Sequence, residues 1–136
     1  MYLCLMRHGK AQPFSLKKPD KQRELTEKGC CQAASMSSWA ASWWPEGKTA
    51  LWVSPYVRTC QTASYLEQQL PIGQFHTHEA LASGDLVAVY DQILSQEKSD
   101  VVCIVGHSPF LDRWVQAWTG TAIDFKTGSM ALLDFD

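Results

Sequence analysis

The sequence predicts an α/β fold, a three-layer sandwich in which helices cover both faces of a central, mostly parallel sheet. Short apolar runs alternate along the chain with segments whose apolar residues recur at helical spacing. In addition, residues 101–105 (VVCIV) are continuously apolar and mostly β-branched, which is typical of a parallel strand covered on both faces. The 136 residues show no repeat and no linker, so we expect one domain spanning 1–136.

The first half of the chain supplies two strands with a helix between them. Strands are predicted at residues 2–6 and 50–54, which are both apolar. The helix begins after Thr26, an N-cap residue, and ends before Pro45. Its apolar face carries Ala33, Met36, Ala40 and Trp43. Trp39 lies one turn before Trp43, so we expect both indoles to join the core.

The second half continues the alternation of helices and strands. A second helix starts at Ser54–Pro55, and a short, weaker strand follows at 75–78. Apolar residues at helical spacing then predict a helix within 86–94. After the strand at 101–105, a tight turn leads into a helix that Gly120 closes. The last strand, 129–135, is expected at an antiparallel edge.

The composition bounds the function. A net charge of −2 argues against a general nucleic-acid-binding surface, although the basic residues between 10 and 23 create a local positive field. No apolar segment approaches membrane-spanning length, so we expect no membrane contact. The odd number of cysteines and the absence of a CxxC motif indicate reduced thiols and a cytoplasmic protein. No signal peptide is visible, because Arg7 interrupts the N-terminal apolar run.

Cationic residues follow the predicted strands at their carboxyl ends. Arg7 and His8 follow the first strand, His107 and Ser108 follow 101–105, and Arg58 lies in the first turn after the second strand. Because ligands of a parallel sheet bind at this edge, we expect these groups to converge there. Such a group repels itself unless an anion binds, and the neighbouring helix N-termini also favour an anion. The planar guanidinium suits phosphate, so the sequence predicts a phosphate site.

Histidine also offers a route to chemistry at this site. A neutral imidazole is nucleophilic near pH 7 and can carry a covalent intermediate, so His8 can attack phosphorus. Arg7, Arg58 and His107 would neutralise the phosphoryl oxygens. The sequence contains no carboxylate cluster for a metal ion, and no cofactor is expected. His76 and His78 share a strand face without a third ligand nearby, which favours an ordinary exposed strand over a metal site.

Four motifs of this sequence resemble those of the histidine phosphatase superfamily and occur in the same order along the chain. They are LMRHGKA at the N-terminus, RELTEKG (23–29), SPYVRTCQTA (54–63) and VGHSP (105–109). The short length is similar to compact bacterial SixA-type phosphohistidine phosphatases. The resemblance implies a phosphoglycerate mutase-like fold, His8 as nucleophile, and Arg7, Arg58 and His107 around the phosphate. It also places Arg23 next to the phosphate, and we add Gly9 and Ser108 to the expected binding residues.

The chain departs from this family in ways that leave the general acid open. Many larger relatives have an Asn several residues after RHG, and none is present here. Ser108 stands where the acid-phosphatase branch has an Asp. Glu79, in the loop where mutase-like relatives place a glutamate, is the first candidate and Asp85 the second. A phosphoramidate needs a dedicated acid less than an ester does, because its leaving imidazole departs more readily than an alkoxide.

The resemblance implies a phosphorylated protein as substrate, namely phosphohistidine on a phosphotransfer domain, with phosphate ion as the other ligand. Without a capping insertion the pocket should be shallow and open, which suits a protein surface better than a small metabolite. Two alternatives stay open. The chain could act on small phosphate monoesters, or it could be a non-catalytic phosphoprotein-binding module.

Overall fold

Strands and helices alternate through the computed structural model, which describes residues 1–135. The strands are β1 (Tyr2–Arg7), β2 (Thr49–Val53), β3 (Ile72–Thr77), β4 (Val101–Gly106) and β5 (Met130–Asp134). The helices are α1 (Glu27–Ala41), α2 (Val57–Gln69), α3 (Ala80–Ser83), α4 (Leu86–Val89) and α5 (Phe110–Thr119). A π-helical turn (Tyr90–Leu94) continues α4, and a 3-10 turn (Asp20–Gln22) lies in the loop before α1.

The strands form one mixed sheet in the order β3-β2-β4-β1-β5. The first four strands in this order are parallel, and β5 pairs antiparallel with β1 at the edge. This confirms the predicted α/β architecture. The register places Arg7 opposite Gly106 and Val53 opposite Val105. The residues that directly follow β1, β2 and β4 therefore lie side by side at one edge of the sheet.

The core lies on both faces of the sheet because the central strands are apolar throughout. Along β1, Leu3 and Leu5 face one side and Cys4 and Met6 face the other, and all four are fully buried. Helices α1 and α2 cover the Cys4 side, whereas α3, α4 and α5 cover the Leu3 side. The two buried layers hold the sheet, and with it the carboxyl edge, in place.

Helix α1 differs from its prediction in length and in the position of one indole. It ends at Ala41, where Ser42 Oγ donates to the Trp39 carbonyl. Thr26 caps its start as predicted, since Thr26 Oγ1 accepts from the Gly29 amide at 3.0 Å. The expectation of a buried Trp39 is wrong, because its side chain is 58% exposed. The fully buried line of α1 includes Ala40, and Trp39 points about 100° away from it around the helix.

The other boundaries agree with the predictions to within a few residues. Strand β3 extends to Ile72 rather than starting at Phe75, because it pairs with β2 over its whole length. The helix predicted to start at Ser54–Pro55 begins at Val57. Within residues 1–135, none of the helices combines the length and apolar character that crossing a membrane requires.

Candidate active site

A cavity of about 520 Å³ opens at the carboxyl edge of the sheet, and we call it the cationic cavity. The predicted site residues that line it are Arg7, His8, Arg23, Arg58, His107 and Ser108. Side chains that were not predicted also line it, including Asp20, Tyr56, Ala82, Phe110 and Thr127. The fold thus brings together predicted residues from four separate segments of the chain, at positions 7–8, 23, 58 and 107–108.

The His8 ring is held in one orientation by its own backbone neighbour. Its Nδ1 lies 2.6 Å from the Gly9 carbonyl oxygen, which can only accept a hydrogen bond. Nδ1 therefore carries the proton in the neutral ring, and Nε2 keeps a free lone pair. The ring is 9% exposed and lines the cationic cavity. This is the tautomer that a nucleophilic Nε2 requires.

Both histidines of the cavity are neutral at pH 7. Burial lowers the pKa of His8 from 6.5 to about 4, and although the bond to Gly9 raises it, the charges of Arg58, Arg7 and Arg23 lower it further. Burial likewise lowers the pKa of His107 to about 3, with further contributions from His8 and Arg58. Neutral rings avoid adding positive charge to a cavity that already holds three arginines.

His107 is positioned by residues from the β2–α2 loop. Its Nε2 lies 2.7 Å from Ser54 Oγ, and both groups are buried. The ring of Tyr56 packs edge-on against His107, with 5.0 Å between the centroids. Tyr56 also contacts Arg58: the guanidinium carbon lies 4.8 Å from the centroid of the Tyr56 ring, within cation–π distance. Tyr56 thus separates and orients two cavity residues.

A relay of hydrogen bonds holds Arg7. Its Nη1 donates to the Phe125 carbonyl at 2.8 Å, and the Phe125 amide donates to Asp112 Oδ2 at 2.8 Å. The other oxygen of Asp112 accepts from Ser108 Oγ at 2.6 Å. The Ser108 hydroxyl is therefore engaged with Asp112 in this structure, and a direct phosphate contact from it stays a prediction.

Asp20 holds two arginines of the cavity at once. Its Oδ1 accepts from Arg23 Nε at 2.7 Å, its Oδ2 accepts from Arg58 Nη2 at 3.2 Å, and its backbone carbonyl accepts from Arg58 Nη1 at 2.8 Å. Partial burial raises the pKa of Asp20, but its bond with Arg23 and the charge of Arg58 lower it by more. The carboxylate therefore stays ionised at neutral pH and orients both guanidinium groups.

The arginines keep donors that suit an oxyanion. Arg58 donates one hydrogen from Nη1 and one from Nη2 to Asp20, and each of these amino groups keeps a second hydrogen. Within residues 1–135, neither the Nε of Arg58 nor that of Arg7 has a hydrogen-bond partner, although both atoms are buried. Leaving a buried charged donor unpaired is costly. The guanidinium groups themselves line the cavity, and their other N–H groups suit a phosphoryl oxygen.

Gly9 is required for packing. A side chain at Gly9 would collide with the carbonyl of Gly29 in the first turn of α1, and one at Gly29 would collide with the backbone of Lys10. The Gly9 amide donates to Thr62 Oγ1 at 3.1 Å. The close approach of these two backbones places the N-terminus of α1 beside His8. A role of Gly9 in phosphate binding stays a prediction.

The two general-acid candidates, Glu79 and Asp85, are not among the residues that line the cationic cavity. Glu79 is exposed and directly precedes α3, the helix that contributes Ala82 to the cavity lining. Asp85 is also exposed, and its carboxylate accepts from the Ala88 amide at the start of α4. Glu79 and Asp85 both remain candidates by prediction. Among residues 1–135, no group of three or more His, Cys, Asp or Glu side chains is placed to hold a metal ion.

Asp20, Tyr56 and Asp112 are the site residues that the sequence reasoning missed. Asp20 precedes Arg23 by three residues, a spacing that indicates a local ion pair. Its bond to Arg58 joins residues 38 positions apart, and no local pattern signals it. Tyr56 lies inside the SPYVRTCQTA motif, but the motif by itself assigns it no role.

Comparisons with known proteins agree with this geometry. A family model described as histidine phosphatase superfamily (branch 1) matches residues 3–87. The chain is 27% identical to a protein histidine phosphatase SixA solved with tungstate, with a TM-score of 0.85 over 100% of this chain and 89% of that one. It is 22% identical to a SixA protein from Agrobacterium tumefaciens, with a TM-score of 0.85 over 98% and 90% of the two chains. A search of curated proteins found no match.

A more distant structure shares the fold. A phosphoserine phosphatase from Entamoeba histolytica, solved with 3-phosphoglyceric acid, is 15% identical. Its TM-score is 0.67 over 96% of this chain and 89% of that one.

Proposed function

The chain belongs to the histidine phosphatase superfamily, and on this premise we propose that it hydrolyses phosphohistidine on a protein through a covalent intermediate at His8. The observation that carries the proposal is the 2.6 Å hydrogen bond between His8 Nδ1 and the Gly9 carbonyl. It leaves Nε2 unprotonated, inside a cavity lined by the guanidinium groups of Arg7, Arg58 and Arg23. A nucleophile and its charge-neutralising groups are thereby present together.

The first step transfers the phosphoryl group to His8. The lone pair of His8 Nε2 attacks phosphorus, and the bond between phosphorus and the substrate's imidazole nitrogen breaks. The departing imidazole nitrogen keeps that electron pair and takes a proton. Arg7 and Arg58, which line the cavity, neutralise the phosphoryl oxygens through the transfer. The His8 Nδ1–H stays bonded to Gly9 and stabilises the charge that develops on the ring.

The second step releases phosphate. Water attacks phosphorus, the bond from His8 Nε2 to phosphorus breaks, and its electron pair returns to Nε2. The water loses a proton, and inorganic phosphate leaves. Asp20 is a poor proton donor in either step because its carboxyl stays ionised beside Arg23 and Arg58. The proton for the leaving group comes instead from Glu79, Asp85 or water. A leaving imidazole needs this proton donor less than an alkoxide does.

The substrate class rests on likeness to a known enzyme. The chain matches, over its whole length, a structure named as a protein histidine phosphatase that holds tungstate, a phosphate-like oxyanion. The three arginines that line the cationic cavity suit such an oxyanion. A phosphotransfer domain phosphorylated on histidine is therefore the substrate to test first.

The test is covalent labelling. The protein is mixed with a ³²P-phosphohistidine-bearing phosphotransfer domain, quenched in acid or in alkali, and His8→Ala is compared with His76→Ala, a histidine outside the cavity. We expect base-stable, acid-labile label and phosphate release with wild type and His76→Ala only. Faster turnover of small phosphate monoesters than of the phosphotransfer domain would contradict the proposed substrate class. If the chain binds phosphate but releases none from any donor, and His8→Ala binds equally well, it is a binding module.

A further inference from the structure

An apolar groove leads away from the cationic cavity along one side of the molecule. We call it the α1–β5 groove, and define it by Met36 and Trp39 of α1, Trp43 just after α1, and Met130 and Leu132 of β5. It consists of two adjoining hollows of about 290 and 270 Å³ that share Trp39. The groove is therefore one continuous surface feature.

The groove joins the site at a specific residue. Thr127 lines both the cationic cavity and the nearer hollow, where Gln32, Ser35 and Ser129 supply polar groups. Among residues 1–135, those that line the farther hollow are Trp39, Trp43, Met130 and Leu132. The surface thus changes from cationic at His8 to predominantly apolar in both hollows.

The apolar side chains of the farther hollow are exposed to solvent. The Trp39 side chain is 58% exposed and that of Leu132 is 40% exposed. Scattered apolar residues on a surface need no explanation, but a contiguous patch with tryptophan beside an active site marks an interaction surface. The indoles of Trp39 and Trp43 pack edge-on, with 5.0 Å between the ring centroids, which gives the patch a defined shape.

The length of the groove selects its occupant. Gly29, whose carbonyl contacts Gly9 beside His8, lies ten residues before Trp39 on α1, a distance of about 15 Å along the helix. A phosphate ester of a small metabolite that is bound in the cationic cavity does not reach that far. A folded protein that presents a phosphorylated histidine does, and its apolar side chains near that histidine would cover Trp39 and Leu132. A helix laid in a groove is a common form of such contact.

We infer that the α1–β5 groove docks the protein that carries the phosphohistidine, an inference that rests on the proposed function. The cationic cavity binds the phosphoryl group, and the groove binds an apolar face of the substrate domain about 15 Å away. Continuity through Thr127 favours the substrate over a second copy of this chain, because a substrate must occupy both regions at once. The groove thereby gives the enzyme a preference for protein substrates over small phosphorylated molecules.

The experiment compares Trp39→Ala on two substrates. One is a phosphohistidine-bearing phosphotransfer domain, and the other is free phosphohistidine, which fills only the cavity. We expect kcat/KM on the domain to fall about tenfold or more, the usual effect of removing an interface tryptophan, and kcat/KM on free phosphohistidine to be unchanged. Trp39→Phe should give a smaller loss on the domain. The control is Tyr90→Ala, a 49% exposed aromatic beyond α4 on the opposite side of the sheet, which should change neither value.

Each other outcome overturns the inference, and the outcomes are distinguishable. If wild type turns over the domain and Trp39→Ala does so equally well, the groove does not dock the substrate, while the proposed function stands. If Trp39→Ala loses activity on both substrates alike, the residue supports the fold or the cavity instead. If wild type acts on free phosphohistidine alone, the proposed protein substrate fails as well. A dimer at assay concentration that Trp39→Ala dissociates would assign the groove to a second copy.

Discussion

The rings of His8 and His107 lie edge to face in the cationic cavity, with 5.4 Å between their centroids. Because the two rings are this close and both are buried, protonating either one disfavours protonation of the other. Each ring has a separate anchor, the Gly9 carbonyl for His8 and Ser54 Oγ for His107. The pair therefore enters the reaction neutral, and this has measurable consequences for activity and stability.

Activity should persist well below pH 6.5. A nucleophilic His8 must be unprotonated, so the rate is lost as pH falls through the pKa of His8, which burial lowers to about 4. We expect kcat/KM at pH 5.5 to stay close to its value at pH 7.5. With an ordinary pKa of 6.5, only about a tenth of the His8 rings would be unprotonated at pH 5.5. Rapid-quench single turnovers, corrected for acid hydrolysis of the substrate, measure this, and a tenfold loss by pH 5.5 would contradict it.

The free energy of unfolding should decrease as the pH falls from 6.5 toward 4. The pKa values of His8 and His107 are lower in the folded protein than the ordinary 6.5, so the unfolded chain binds more protons below that pH. Their contribution is fully present above pH 6.5 and is lost as pH falls toward 4. The free energy of unfolding should decrease by up to about 1.4 kcal/mol per pH unit for each histidine. Urea unfolding at pH 7.5, 6 and 5 tests this, and His8→Asn should show a shallower dependence than wild type.

Asp20→Ala should impair catalysis more than it impairs phosphate binding. The substitution removes the carboxylate that orients Arg58 and Arg23, and we expect kcat to fall about tenfold because a misplaced guanidinium no longer matches the transition state. The misplaced guanidinium also weakens phosphate binding, but the loss of a negative charge at the cavity strengthens it. Inhibition by inorganic phosphate should therefore weaken by no more than a few fold. Glu24→Ala is the matched control, since Glu24 pairs with Lys18 outside the cavity. Equal effects of the two substitutions on kcat would contradict a positioning role for Asp20.

Gly9→Ala should destabilise the fold. The new methyl group would collide with the carbonyl of Gly29, and a backbone group of a capped helix cannot move aside without disturbing α1. We expect a loss of about 1–3 kcal/mol in the free energy of unfolding. Gly73→Ala is the control, because a side chain there meets only an ordinary contact with the Thr49 carbonyl. Denaturant unfolding of both variants decides, and a Gly9→Ala protein as stable as wild type would rule out the packing role.

Much of the architecture could be predicted because it depends on local patterns. Continuous apolar runs such as 101–105 predict buried strands whatever their neighbours are, and Thr26 caps α1 through a bond to Gly29 that lies within one turn. The family and its phosphatase class could be predicted because the motifs around Arg7, Arg58 and His107 occur in a characteristic order, and the comparisons confirm both. Strand and helix ends were less accurate, since Ile72 joins β3 only through pairing with β2.

The sequence by itself determined that the chain forms a sheet covered on both faces and delivers His8, Arg7, Arg58 and His107 to one edge. Hydrophobic periodicity marks each strand locally, and the residues that follow parallel strands meet at the same edge of a sheet. Tertiary structure alone decided that Asp20 holds Arg58, since that bond depends on the path of a long loop. It also decided that Trp39 is exposed. Both indoles satisfy the helical spacing, and only the packing of α1 against the sheet determines which of its flanks reaches solvent.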